Sequence, residues 1–232
     1  MSTTRTLARR AAIAASLTVV ATTGVLASRI RAADAHPAAS SGPIEPSNRW
    51  LEGLKAKHRQ FFDAPAPGGG IPLVHVMNYY DTYNKAFGVK DADIDAVLTF
   101  YGSTTFHGLN DAVWAKYALG EFLEIVDPAT SKPATANPWR SAPVILGMTL
   151  PAASVESLQK RGATFILCNN ALQIFSGLLA QKRGLDTKVV YEDLKANILP
   201  GVELVPGMVI AVEQAQRAGL AYHRRSNDAR GL

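Results

Sequence analysis

Of 232 residues only one is a cysteine, Cys168. A single thiol cannot close an intramolecular disulfide, so it is a buried inert side chain, an interchain partner, a metal ligand or a functional thiol. Glycine-rich phosphate loops are missing as well. Neither G-x-x-x-x-G-K nor G-x-G-x-x-G occurs, which removes the usual signatures of P-loop NTPases and dinucleotide-binding enzymes. No repeat of 20–50 residues is visible, so a solenoid or propeller is not expected. Asp91, Asp93 and Asp95 have the spacing of part of a calcium loop, but without its glycine and terminal glutamate they read as a solvated turn. No cofactor and no metal is assigned from these patterns.

Net positive charge outside the N-terminus is also small. The whole chain carries +5, but residues 1–35 hold five arginines against one aspartate, leaving 19 basic and 18 acidic residues, a net +1. The basic balance therefore belongs to the leader, and no nucleic-acid partner follows from it. The leader has three parts: Arg5, Arg9 and Arg10, an uncharged stretch from Ala11 to Ser28, and a small-residue cleavage site at Ala33-Asp34-Ala35. This is an export signal, and Arg9-Arg10 followed by Ile13 looks like a twin-arginine signal. Ala12 stands where a bulkier residue would strengthen that match. Periplasmic localisation, with no stable membrane span after cleavage, is the expectation. An uncleaved anchor is the alternative, although Ala and Thr make a poor spanning helix.

The full chain has 47% hydrophobic and 19% charged residues, the make-up of a globular protein long enough for one α/β domain. Residues 36–46 read as a linker rich in Pro, Ser and Ala. Residues 47–70 read as a helix capped by Ser47, with Trp50, Leu51, Leu54, His58, Phe61 and Phe62 at helical spacing, followed by a connector. The α/β domain is expected over 71–223, with a polar tail over 224–232. Its first strand is read at Ile71–Met77, interrupted by His75, with the polar run Asn78–Asn84 beginning a helix that ends at Phe87. A second strand, Ala96–Tyr101, exits into Gly102–Gly108, where Ser103, Thr104, Thr105 and His107 offer donors and acceptors. Asn110 or Asp111 then caps a helix carrying Val113, Trp114 and Tyr117. The segment 120–140 is a long polar insertion, the kind of loop that serves as a lid or a subunit arm. Further on, Thr187–Tyr191 reads as extended, Asp193–Ile198 as a helical turn, Val202–Val205 as a strand, and Leu220–His223 as the last strand.

The centre of the chain is 154–184. Ser154 caps a helix that Gly162 closes, Ala163–Leu167 is an apolar strand between turn signals, and Asn169 or Asn170 caps the next helix. Cys168 falls between that strand and that helix. A parallel strand's carboxyl end is where open α/β sheets bind ligands, and a helix N-terminus favours a thiolate. Cys168 is therefore the candidate for chemistry, with Asn169, Asn170, Ser103, Thr104 and His107 as candidate substrate-binding neighbours.

Three linked segments carry a resemblance: Leu158-Gln-Lys-Arg-Gly-Ala-Thr-Phe-Ile-Leu-Cys-Asn-Asn, Ile198-Leu-Pro-Gly-Val-Glu-Leu-Val-Pro, and Ala215-Gln-Arg-Ala-Gly-Leu-Ala-Tyr. In this order the chain resembles the DsrE/DsrF-like family over roughly 71–223. The resemblance implies a flavodoxin-like or Rossmann-like three-layer α/β sandwich with a mostly parallel sheet, assembled as a trimer or hexamer. It also implies a persulfide carried on Cys168. The export signal, the 120–140 insertion and Asn169-Asn170 depart from that pattern. Three readings stand side by side. One is an exported sulfur-handling protein that takes sulfur from a donor and passes it to an acceptor thiol. The second is a non-catalytic small-molecule or metal binding protein, with 120–140 as lid. The third is a scaffold in which Cys168 is inert.

Overall fold

The computed structural model describes residues 46–224. The export signal, the linker up to residue 45 and the tail beyond Arg224 lie outside the described residues, as does the Ser47 side chain. In chain order the elements are β1 (His58–Asp63), α1 (Ile71–Phe87), β2 (Ile94–Phe100), α2 (Asp111–Lys116) and α3 (Leu119–Phe122). Two small hairpins follow, β3 (Val126–Asp127) with β4 (Lys132–Pro133) and β5 (Val144–Ile145) with β6 (Met148–Thr149). The rest is α4 (Val155–Lys160), β7 (Thr164–Cys168), α5 (Asn169–Arg183), α6 (Thr187–Ala196), β8 (Val202–Val205), α7 (Met208–Arg217) and β9 (Ala221–Arg224).

Five strands form one parallel sheet in the order β8-β7-β2-β1-β9. In register across it, His223, Phe62, Leu98, Phe165 and Val202 share one face. That face carries the larger core, covered by α1, α2, α4, α5 and α6 through Leu73, Trp114, Leu158, Leu172 and Leu194. The opposite face, with Phe61, Val97, Ile166 and Cys168, is covered by α7 and by the short 3-10 segment that contains Trp50. Side chains of a strand alternate between faces, and both faces here are apolar, as a parallel sheet requires. The expected three-layer α/β sandwich with a parallel sheet is what the chain forms.

Three segments differ from the sequence reading. His58–Phe62 is strand rather than helix, so the sheet begins before residue 71. Phe61 and Phe62 are adjacent and both buried, which a two-sided sheet accommodates and a surface helix does not. Ile71–Met77 is the start of α1, not a strand. Pro72 sits in its first turn, and Leu73, Val76 and Tyr80 recur on one buried face. Thr187–Tyr191 opens α6, because the Asp186 carboxylate accepts the Val189 N–H and caps it, while Val190 and Leu194 supply a buried stripe. In each case a short apolar run fitted both periods; burial on both faces or on one stripe decided the first two, and the Asp186 cap the third.

Arg161, just past α4, fastens this helix to α1 and to the turn before β2. Its guanidinium reaches Asp81 at 2.6 Å, Asn84 at 2.8 Å and both oxygens of Asp91 at 2.9 and 3.2 Å, and it lies 4.8 Å over the Tyr80 ring. Arg161 holds the Asp91 carboxyl below its ordinary range, and together with Lys85 it does the same for Asp81. Arg161→Lys keeps the charge but loses the paired geometry, and is expected to cost about 1–2 kcal/mol in urea unfolding, since the partners are partly solvated. An unchanged midpoint would show that the cluster is mere surface decoration.

Candidate functional site

Cys168 ends β7 and is itself the N-cap of α5. Its sulfur accepts the Ala171 N–H at 3.4 Å, and from across the sheet edge it accepts the Met208 N–H, the first of α7, at 3.3 Å. Two helix N-termini thus converge on one sulfur, an arrangement that solvates negative charge without any cationic side chain. The residue is 5% exposed and sits among Ile166, Val205 and Met208. Neither asparagine is the cap. The Asn169 side-chain oxygen accepts the Tyr191 hydroxyl at 2.7 Å, while the exposed Asn170 donates its N–H to the Pro206 carbonyl.

The exit turn of β2 packs against β7 and α5, but the hydrogen bonds of its side chains do not go to Cys168. Gly102 adopts φ +58°, and a Cβ there would lie 2.7 Å from the Pro65 carbonyl, so the turn hugs the chain leaving β1. Ser103 is exposed and uses its N–H on the same carbonyl. Thr104 is buried, and its hydroxyl joins Ala64 and Tyr101 through contacts of 2.7–3.1 Å. It is a splint between β1 and β2 rather than a group presented to a ligand. His107 lies in the larger core, on the far side of the sheet from the sulfur. Its ring is 4.3 Å from that of Trp139 and 5.5 Å from that of Trp114.

His107 has a different neighbourhood of its own. It forms the floor of a cavity of about 400 Å³ between the connector Pro67–Gly70 and the segment 125–144. The long insertion is stapled in place there. The Asn137 amide donates to the His107 and Leu109 carbonyls at 2.8 and 2.7 Å, and its oxygen accepts the Trp139 N–H. Arg140 pairs with Asp111 at 2.9 Å, and the Trp139 carbonyl accepts the Val155 N–H. Gly120 lets this segment approach, because a Cβ would stand 2.2 Å from the Ala134 carbonyl oxygen. Neither ring nitrogen of the buried His107 makes a well-aligned hydrogen bond, and the Thr104 backbone offers it only a weak contact. Burial drives its pKa down to about 3, although the nearby Thr104 carbonyl slightly favours the proton.

Two further groupings were not anticipated. At the carboxyl ends of β1, β2 and β9, the buried Asp63 accepts the Tyr101 hydroxyl at 2.7 Å and the Tyr222 hydroxyl at 2.5 Å. Burial and that carboxylate push both phenols up, Tyr222 to about 12, so both remain donors. His75 and His223, distant in sequence, meet at 3.0 Å beside an open aromatic groove walled by Phe62, Tyr79 and Tyr83. Only the strand register, with His223 opposite Phe62, reveals that pair. Among the described residues no three of His, Cys, Asp and Glu cluster to hold a metal ion, and no helix is long and apolar enough to cross a membrane. Compared with known proteins, the chain matches no family model, no curated protein and no solved structure.

Thr104→Val should lower stability by about 1–3 kcal/mol, the cost of leaving buried carbonyls unpaired. It should not alter the reactivity of Cys168 toward alkylating reagents, and a changed rate would place Thr104 in the sulfur site after all. His107 yields a pH signature. The unfolded chain binds its proton near pH 6.5 and the folded one near 3, so between those values the unfolded state holds more protons. Stability from His107 is therefore lost as pH falls from about 6.5 toward 3. His107→Phe should flatten this limb in denaturation curves measured across that range; an identical slope would mean that the ring is solvated.

Proposed function

We propose that the chain is an exported, single-cysteine sulfur carrier, with Cys168 taking and releasing a sulfane sulfur. The observation that supports this best is the pair of N–H groups, from Ala171 and Met208, directed at one sulfur at the carboxyl edge of a parallel sheet. A thiolate at this position attacks the outer sulfur of thiosulfate, forming the Cys168 S–S bond and expelling sulfite with the electron pair of the broken bond. An acceptor thiolate then attacks the outer sulfur of the persulfide, and Cys168 leaves as thiolate. No net oxidant is consumed. One thiol suffices for this cycle, whereas a dithiol oxidoreductase needs a second cysteine. The likeness of the segments around Cys168, Ile198–Pro206 and Ala215–Tyr222 to DsrE/DsrF-like proteins supports the same reading, and the twin-arginine-like leader supports a periplasmic setting.

The homo-oligomer belongs to this proposal. Ile174 and Leu178 on α5, with Leu185 and Val189 beside and on α6, are exposed apolar side chains that a second copy would cover.

The test is mass spectrometry of the mature protein after incubation with thiosulfate or polysulfide. Cys168 is expected to gain one sulfur atom and to lose it to an added small thiol, with Cys168→Ser remaining unloaded. A Cys168 that is alkylated readily yet never gains sulfur would overturn the proposal.

A further inference from the structure

The cavity above His107 is a second site, independent of the sulfur chemistry. We propose that it binds a small uncharged molecule with an apolar ring and a single hydroxyl group, seated between His107 and the stapled segment 125–144. The first support is the poorly satisfied imidazole. A fully buried imidazole whose ring nitrogens make no well-aligned hydrogen bond, with only a weak contact to the Thr104 backbone, is costly, and it lines a partly open cavity rather than sealed core. With one nitrogen donating weakly to the Thr104 carbonyl, the other is left an acceptor, which a ligand hydroxyl can satisfy as donor.

The walls give the rest of the ligand its character. Pro67, Ile125, Pro128, Pro143 and Val144 are apolar, and the Trp139 ring stands beside the imidazole. No lysine or arginine lines the space, and Asp127 at its rim opposes an anion. The Asp127 carboxylate is already engaged by the Ala129 N–H and the Thr130 hydroxyl, and Asn137 is consumed by the staple. Thr135 and Ser141 also line the cavity, and His107 is the buried polar anchor among these groups. A volume of about 400 Å³ is within the range of small-molecule sites. Because Asn137 and Arg140 hold the segment down, the pocket is preformed, and binding need not order a loop.

The experiment titrates the full chain with para-ethylphenol, ethylbenzene and para-ethylbenzoate, followed by saturation-transfer NMR. The phenol is expected to saturate one site about tenfold more tightly than the other two, the value of one buried hydrogen bond. In His107→Phe the phenol should fall to the level of ethylbenzene. Ala136→Trp, at an exposed position lining the cavity, leaves His107 intact and should abolish binding of the phenol. Cys168→Ser should bind the phenol as the unaltered chain does. Failure of saturable phenol binding in the unaltered chain would mean that the cavity holds water alone and would overturn the proposal. Equal affinity after either His107→Phe or Ala136→Trp would do the same, as would a preference for the benzoate. None of these results bears on sulfur loading at Cys168.

Discussion

The structure depends on one reversal of direction. From β1 the strands are laid down stepwise through β2 and β7 to β8, and the helices linking them pack on one face of the sheet. Crossovers between parallel strands keep a fixed hand, so a chain stepping in one direction covers only one face. The link from β8 to β9 runs back across the sheet to the far side of β1, and it carries α7 onto the other face. Without that return, the face carrying Phe61, Val97 and Ile166 would be covered only by the segment that holds Trp50. The same return delivers the first N–H of α7 to the sulfur of Cys168, so the feature that completes the core also completes the candidate thiol site.

Much of this was legible and some was not, for identifiable reasons. The β7–α5 junction announced itself, because Ala163–Leu167 is a short apolar run bounded by Gly162 and polar residues, and nothing else fits it. The identity of the cap did not. Asparagine is the stronger capping residue by chemistry, but α5 starts at Asn169, which makes Cys168 the position whose side chain can reach back to Ala171. The sequence around 58–77 was harder, since Phe61-Phe62 and the run Ile71–Met77 are each compatible with either period. What separates them is tertiary: a strand buried on both faces hides adjacent aromatics, and a helix needs only the stripe Leu73, Val76 and Tyr80.

The site residues divide the same way. Proximity to a strand's carboxyl end was read correctly for both Cys168 and the Gly102–Gly108 turn, yet strand parity sends the two to opposite sides of the sheet. Cys168 faces α7, whereas the turn after β2 folds over the larger core, where Gly108 packs against Phe100 and Leu167. The sheet edge is common ground in sequence and two separate places in space. A loop residue such as Thr104 looks available for binding because its hydroxyl is polar. Its three short contacts to Ala64 and Tyr101 show the hydroxyl spent on joining two strands.

That separation constrains how the parts can work together. A ligand above His107 and a sulfur on Cys168 share no cavity, so neither can serve as substrate for the other without the sheet between them opening. The insertion that walls the cavity is anchored from several elements at once: Asp111 on α2, the His107 and Leu109 carbonyls, and Val155 on α4. Coupling, if the two sites are coupled, must run through β2 and β7, whose paired residues Leu98–Phe165 and Thr99–Ile166 fill the interval with close-packed side chains on both faces. Such a sheet core transmits displacement poorly unless it has two discrete packings, and in it Phe100 stacks on Phe165 at 5.5 Å. The fold therefore keeps the Cys168 thiol and the His107 cavity apart, against opposite faces of one sheet.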